Sequence, residues 1–171
     1  MVVAALAAAF ADNPAPVRIA GADGATATLV VILPAPDVLP EKKAHVTPTG
    51  RLSSKAWTKT ELQEVYAELL GAHLLATLRE AWAVCPSLTR VRVMGVRRRA
   101  AAGSASDLLF DVDADRHIGH WADDHYGAIL LEQAPTGLNR TGRTREVQPW
   151  PPDKTRPDVA GLLKQAAVDQ I

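Results

Sequence analysis

The sequence predicts an α+β fold: a largely antiparallel sheet of about five strands packed on one long central helix, with short N- and C-terminal helices. Two observations carry that prediction. Between Thr58 and Cys85 apolar residues recur at helical spacing behind a capping signal. Elsewhere, in Val17–Leu33 and Arg90–Val112, they alternate or run together in short segments, as strands do. At 171 residues a single domain, 1–171, is expected, and it is large enough to bury a core.

Along the chain, Val3, Leu6 and Phe10 fit one face of a short helix. The same stretch lacks the positive start and the apolar length of a secretion signal. Val17–Leu33 reads as a hairpin with Asp23-Gly24 at its turn. Its second half, Leu29–Leu33, is continuously apolar, as expected of a central strand covered on both faces. Residues 34–57 change character. Pro34, Pro36, Pro40 and Pro48 interrupt them, Lys42, Lys43, Arg51 and Lys55 make them basic, and Pro48-Thr49-Gly50 marks a turn. A connection this long without regular structure is uncommon inside a domain. It is read as a Pro-rich basic arm that packs on a partner, or as a surface loop with a binding role.

Thr58 and Thr60 each stand three residues before Glu61 and Gln63, two overlapping capping-box patterns. Leu62, Val65, Tyr66, Leu69, Leu70, Leu74, Leu75, Leu78, Trp82 and Cys85 then follow at helical spacing. Between Leu69 and Leu78 the apolar face is so wide that cover on more than one side is expected. Roughly 25 residues give a helix about 37 Å long, and Pro86 ends it. Arg90–Val96 and Asp107–Asp113 read as two strands around a polar loop, with Leu108, Phe110 and Val112 on one face and Asp107, Asp111, Asp113 and Asp115 on the other. A short helix over His117–Gln133, a basic turn and edge strand over Leu138–Trp150, and an amphipathic helix over Val159–Val168 complete the chain.

Nineteen basic and nineteen acidic residues cancel, which excludes a global attraction to nucleic acid or anionic membrane. Their distribution is uneven: residues 86–100 hold five Arg and no acid, whereas residues 107–132 hold seven acids and only Arg116. Arg outnumbers Lys 13 to 6, a bias typical of a GC-rich bacterial genome. Cys85 is the only cysteine, which rules out an internal disulfide and a thiolate zinc cluster. No segment has membrane-spanning length, so a cytoplasmic location and no membrane partner are expected. Glycine-rich nucleotide loops, the Gly-x-Ser-x-Gly elbow and the His-Glu-x-x-His pattern are all absent. No catalytic residue and no cofactor are predicted.

Two side-chain sets are candidates for a site. Asp111 and Asp113, with His117 and His120 three residues apart, could hold a divalent cation for a metal-dependent hydrolase or nuclease. Against that, Arg90 and Arg92 are expected opposite the Asp row as ordinary cross-strand ion pairs. The basic set Lys42, Lys43, Arg97, Arg98, Arg99, Arg140, Arg143 and Arg145 could contact phosphates, with affinity that falls steeply with salt.

Ala76-Thr77-Leu78-x-Glu80 ahead of the Arg90–Val112 hairpin, and Val91-x-Val93-x-Gly95-Val96 on its first strand, resemble a recurring module. Residues 60–132 are similar to the helix-plus-hairpin region found beside modification-dependent restriction endonuclease domains in actinobacterial proteins. The resemblance implies an accessory or recognition role in a nucleic-acid or defence setting, and it carries over no functional residue. The leading expectation is a non-enzymatic interaction module within a larger assembly, with a protein partner or a second copy of itself. Nucleic acid is the alternative partner.

Overall fold

A computed structural model of the chain describes residues 2–98 and 106–168. In order these form α1 (Val2–Ala9), β1 (Val17–Asp23), β2 (Thr26–Ile32), β3 (Lys42–Val46), β4 (Leu52–Ala56), α2 (Lys59–Val84), β5 (Arg90–Arg98), β6 (Ser106–Asp115), α3 (Tyr126–Gln133), β7 (Asn139–Thr141), β8 (Glu146–Gln148) and α4 (Val159–Val168). The α+β class holds. The main sheet has four strands in the order β1-β2-β5-β6, antiparallel at both outer pairings and parallel between β2 and β5. The strand expected within Leu138–Trp150 does not join it; that stretch closes on itself as the small hairpin β7–β8.

Helix α2 begins at the first of the two predicted caps. Thr58 Oγ1 accepts from the Glu61 amide at 3.2 Å, and Glu61 accepts from the Thr58 amide at 2.9 Å. Gln63, predicted to serve a second cap, instead accepts from the Val147 amide at 3.1 Å and ties β8 to the helix. Cys85 is the C-cap and is buried, so the helix stops where Pro86 requires. Tyr66, Leu70, Leu74, Leu78, Ala81 and Trp82 pack with Leu29, Val31, Val91, Val93, Phe110 and Val112 from the sheet and with Leu6 and Phe10 from the N-terminal segment. Each of the larger side chains so buried contributes about 1.5–3 kcal/mol. Val3, expected on the same face of α1 as Leu6 and Phe10, is half exposed at 51 %.

The opposite face of the sheet is covered as well. Val30, Met94, Val96 and Leu108 lie under Val159 and Leu163 of α4 and under Trp150. Leu108 therefore faces away from Phe110 and Val112, contrary to the simple alternation expected. The cause is a bulge: Val96 pairs with Leu108 and Gly95 with Phe110, so Leu109 is an extra residue that shifts the phase of β6. Gly95 is required there, because a Cβ on it would come within 2.3 Å of the Phe110 ring.

Residues 34–57 also contain more order than the sequence suggested. They form a second hairpin, β3–β4, in exact register from Lys42↔Ala56 to Val46↔Leu52. Its turn is held by Thr47: the Arg51 and Thr47 backbones bond at 2.9 Å, the Arg51 amide also donates to Thr47 Oγ1 at 3.1 Å, and Gly50 takes the positive φ of 78°.

Candidate functional site

Asp111 and Asp113 of β6 lie on the α4 side of the sheet and are answered there by arginine, whereas the bulge turns Asp107, expected in the same row, to the opposite face beside Arg97. Arg92 grips Asp111 through two bonds, Nε to Oδ1 at 2.7 Å and Nη2 to Oδ2 at 2.8 Å, and also pairs with Asp158 at the start of α4. Arg156 pairs with Asp113 and approaches Asp111 at 3.4 Å. The Asp111 side chain is completely buried and that of Arg92 is 12 % exposed. The Arg92 guanidinium is held charged far above its ordinary range, chiefly by its bonds to Asp111, and Asp158 is pulled below its own, chiefly by Arg92. These groups latch α4 onto the sheet.

His117 and His120 are exposed and do not join Asp111 and Asp113. They sit in an irregular loop, because α3 starts only at Tyr126 rather than near His117. Gly119 there has φ 140°, incompatible with a helix. The loop is pinned by Trp121, whose ring lies 4.7 Å from that of Trp82 and 5.0 Å from that of Tyr126. Arg79 Nε donates to the Trp121 carbonyl at 2.6 Å. Among the described residues, no group of three or more His, Cys, Asp or Glu side chains converges to hold a metal ion.

The basic set separates into groups with different surroundings. Arg140 and Arg145 close the β7–β8 hairpin onto the helices: both pair with Glu64 of α2, at 2.8 and 3.2 Å, and with Glu132 of α3, at 3.4 and 3.2 Å. Glu64, Glu132 and Arg140 line a shallow cleft between α2 and α3. Arg143 is exposed at the hairpin turn. Arg97 lies 3.9 Å from Asp107 and beside Tyr66, whose hydroxyl is pushed up by burial. Arg98 is exposed at the end of β5, and Arg99 lies outside the described residues.

Lys42 and Lys43 open the β3–β4 hairpin, and here the geometry is distinctive. Of its ten strand residues every one is exposed except Lys43. The base is closed: Trp57 Nε1 donates to the Pro40 carbonyl at 2.8 Å, and Lys43 lies 5.2 Å from the centre of the Trp57 ring while pairing with Glu61 of the α2 cap. Glu61 is thereby held at about 2, first by Lys43 and then by the Thr58 amide. Alternation puts Lys43 and Lys55 on the face toward the helix. The outward face carries Lys42, Ala44, Val46, Leu52, Ser54 and Ala56, with Val46 59 % and Leu52 82 % exposed. The charge of this segment and its turn are legible in the sequence; the Val46–Leu52 pair and the Trp57 clasp are additions of the structure. The sequence signal for the pair is the near-mirror order of Ala44-His45-Val46 and Leu52-Ser53-Ser54 around Thr47–Gly50.

No family model, no curated protein and no solved structure matches the chain. No helix among the described residues is long and apolar enough to cross a membrane.

Proposed function

We propose that this chain is a non-enzymatic interaction module working within a larger assembly, with the β3–β4 hairpin as its contact element. The observation that supports this is the combination of a clasped base, an ordered turn and strands whose side chains touch almost nothing in their own fold. An isolated two-stranded hairpin is marginal in water, and this one is held at both ends while its outward face and both strand edges stay open. A preformed element of that kind spends little ordering entropy on binding. A bacterial, cytoplasmic setting in a nucleic-acid or defence system is part of the proposal, motivated by the arginine bias and by the likeness of residues 60–132 to restriction-associated modules.

The test is a photo-crosslinking amino acid placed at Leu52 in cells, compared with the same group at Ile118, which is 72 % exposed but far from the hairpin in sequence. Adducts at Leu52 and none at Ile118 are expected. Digestion with nuclease or protease then tells which class of partner was captured. Adducts at neither position, or equally at both, would remove the hairpin from its assigned role.

A further inference from the structure

The charge and shape of the hairpin point to one partner class. Residues 42–59 contain Lys42, Lys43, Arg51, Lys55 and Lys59, and no Asp or Glu. Lys43 is engaged by Glu61, while the other four are exposed. Five residue pairs at about 3.4 Å per residue make a ribbon about 17 Å long. Duplex DNA carries one phosphate charge per about 1.7 Å of axis, so about ten phosphates lie along that length to meet the four free cations. Two strands spaced about 4.8 Å apart fit the major groove of B-form DNA, which is about 12 Å wide and admits a two-stranded ribbon. The outward face suits an approach to base edges. Ala44, Ser54 and Ala56 are small, the Ser54 hydroxyl can donate or accept, and methyl groups can meet the thymine methyl. A protein partner would have to supply a matched set of carboxylates around an apolar contact of only two larger side chains, Val46 and Leu52.

Building on the interaction reading above, we propose that the β3–β4 ribbon lies in the major groove of duplex DNA, with Lys42, Arg51 and Lys59 on the flanking phosphates and Lys55 reaching them around the open edge of β4 from the face toward the helix. Arg140 and Arg145 are not part of this surface, since Glu64 and Glu132 occupy them. A-form RNA has a major groove too narrow for such a ribbon, so the proposal is specific to DNA.

The experiment is a fluorescence-anisotropy titration of the full chain with a mixed-sequence DNA duplex and with the RNA duplex of the same sequence, at about 50 and about 200 mM salt. The variant is the pair Lys42→Ala and Lys55→Ala, both exposed, with a thermal melt to show that it folds as the parent does. DNA binding is expected with a log–log salt slope near −3.6, about 0.9 per neutralised phosphate. The double variant should flatten the slope by about two, and the RNA duplex should bind at least about tenfold more weakly. Absence of DNA binding at the lower salt, a salt slope unmoved by the double variant, or equal affinity for RNA would each overturn the proposal. If Leu52 still yields protein adducts in cells while DNA binding is absent, the DNA assignment fails and the interaction reading survives. If Leu52 yields no adducts, the reading itself fails.

Discussion

Gly71 of α2 and Gly127 of α3 pack backbone against backbone. A Cβ on Gly127 would fall 2.0 Å from the Gly71 carbonyl oxygen, and one on Gly71 would fall 2.4 Å from the Ala128 amide nitrogen. Both obstacles are main-chain atoms, which cannot swing aside as a flexible side chain would. Gly71→Ala is therefore expected to push α3 off α2 and to destabilise the protein by about 1–3 kcal/mol, despite alanine's better helix propensity. Urea unfolding checks the magnitude, and faster hydrogen exchange confined to α3 checks the location.

The Arg92–Asp111 pair gives a second prediction, because Asp111 has no exposure to water. Arg92→Ala leaves that carboxylate with Arg156 at 3.4 Å as its nearest remaining cation. A loss of about 3 kcal/mol is expected, near the lower end for breaking a buried pair. Replacing both partners with Met and Leu should cost less than the single change, since no charge then remains buried. Denaturant midpoints of the two variants, set against the parent, decide between this and a merely superficial pair.

Arg140 and Arg145 share the same two carboxylates but differ in burial, their side chains being 7 % and 51 % exposed. Arg140→Ala should cost about 1–3 kcal/mol, because Glu64 and Glu132 lose their buried counter-charge. Arg145→Ala should cost less than about 1 kcal/mol, as an exposed pair does. Thermal melts of the two variants should separate clearly; equal shifts would mean that burial of Arg140 carries no weight.

Glu61 sets an acid limit on the helix cap. Its carboxyl is lowered from 4.5 to about 2, so the folded state binds its proton less readily than the unfolded chain does. The stabilisation is complete above pH 4.5 and disappears as pH falls toward about 2. Glu61→Gln should lower the melting temperature at neutral pH and flatten its decline across that window. A pH profile parallel to that of the parent would show that the Lys43 and Thr58 contacts do not act through charge.

The parts of the fold that sequence reveals are those decided by neighbours in the chain. Thr58 with Glu61 announces the start of α2 and Pro86 its end. Asp23-Gly24 announces the β1–β2 turn, where Gly24 takes φ 52°. The parallel pairing of β2 with β5 joins Ile32 to Val96, and no local pattern encodes it. The extra residue Leu109 is equally hidden, since a bulge alters the phase of a strand without altering its composition. The β3–β4 strands are illegible in the sequence for a different reason. They bury no face, so they lack the apolar alternation by which half-buried strands are recognised. The carboxylates of β6 are visible as a row, but Arg156, which pairs with Asp113, and Asp158, which shares Arg92 with Asp111, arrive from more than forty residues away.

The bond from Trp57 to Pro40 brings the two ends of the arm together at one point on the body. The hairpin is thus an appendage in the architectural sense, inserted into the crossover between β2 and β5 and tied to it at its base by Trp57 and by the Lys43–Glu61 pair. Natural variation could lengthen, shorten or exchange residues 44–55 while the body beneath keeps its packing. An engineer could likewise graft the ribbon onto another clasp, or mount a different loop on this one.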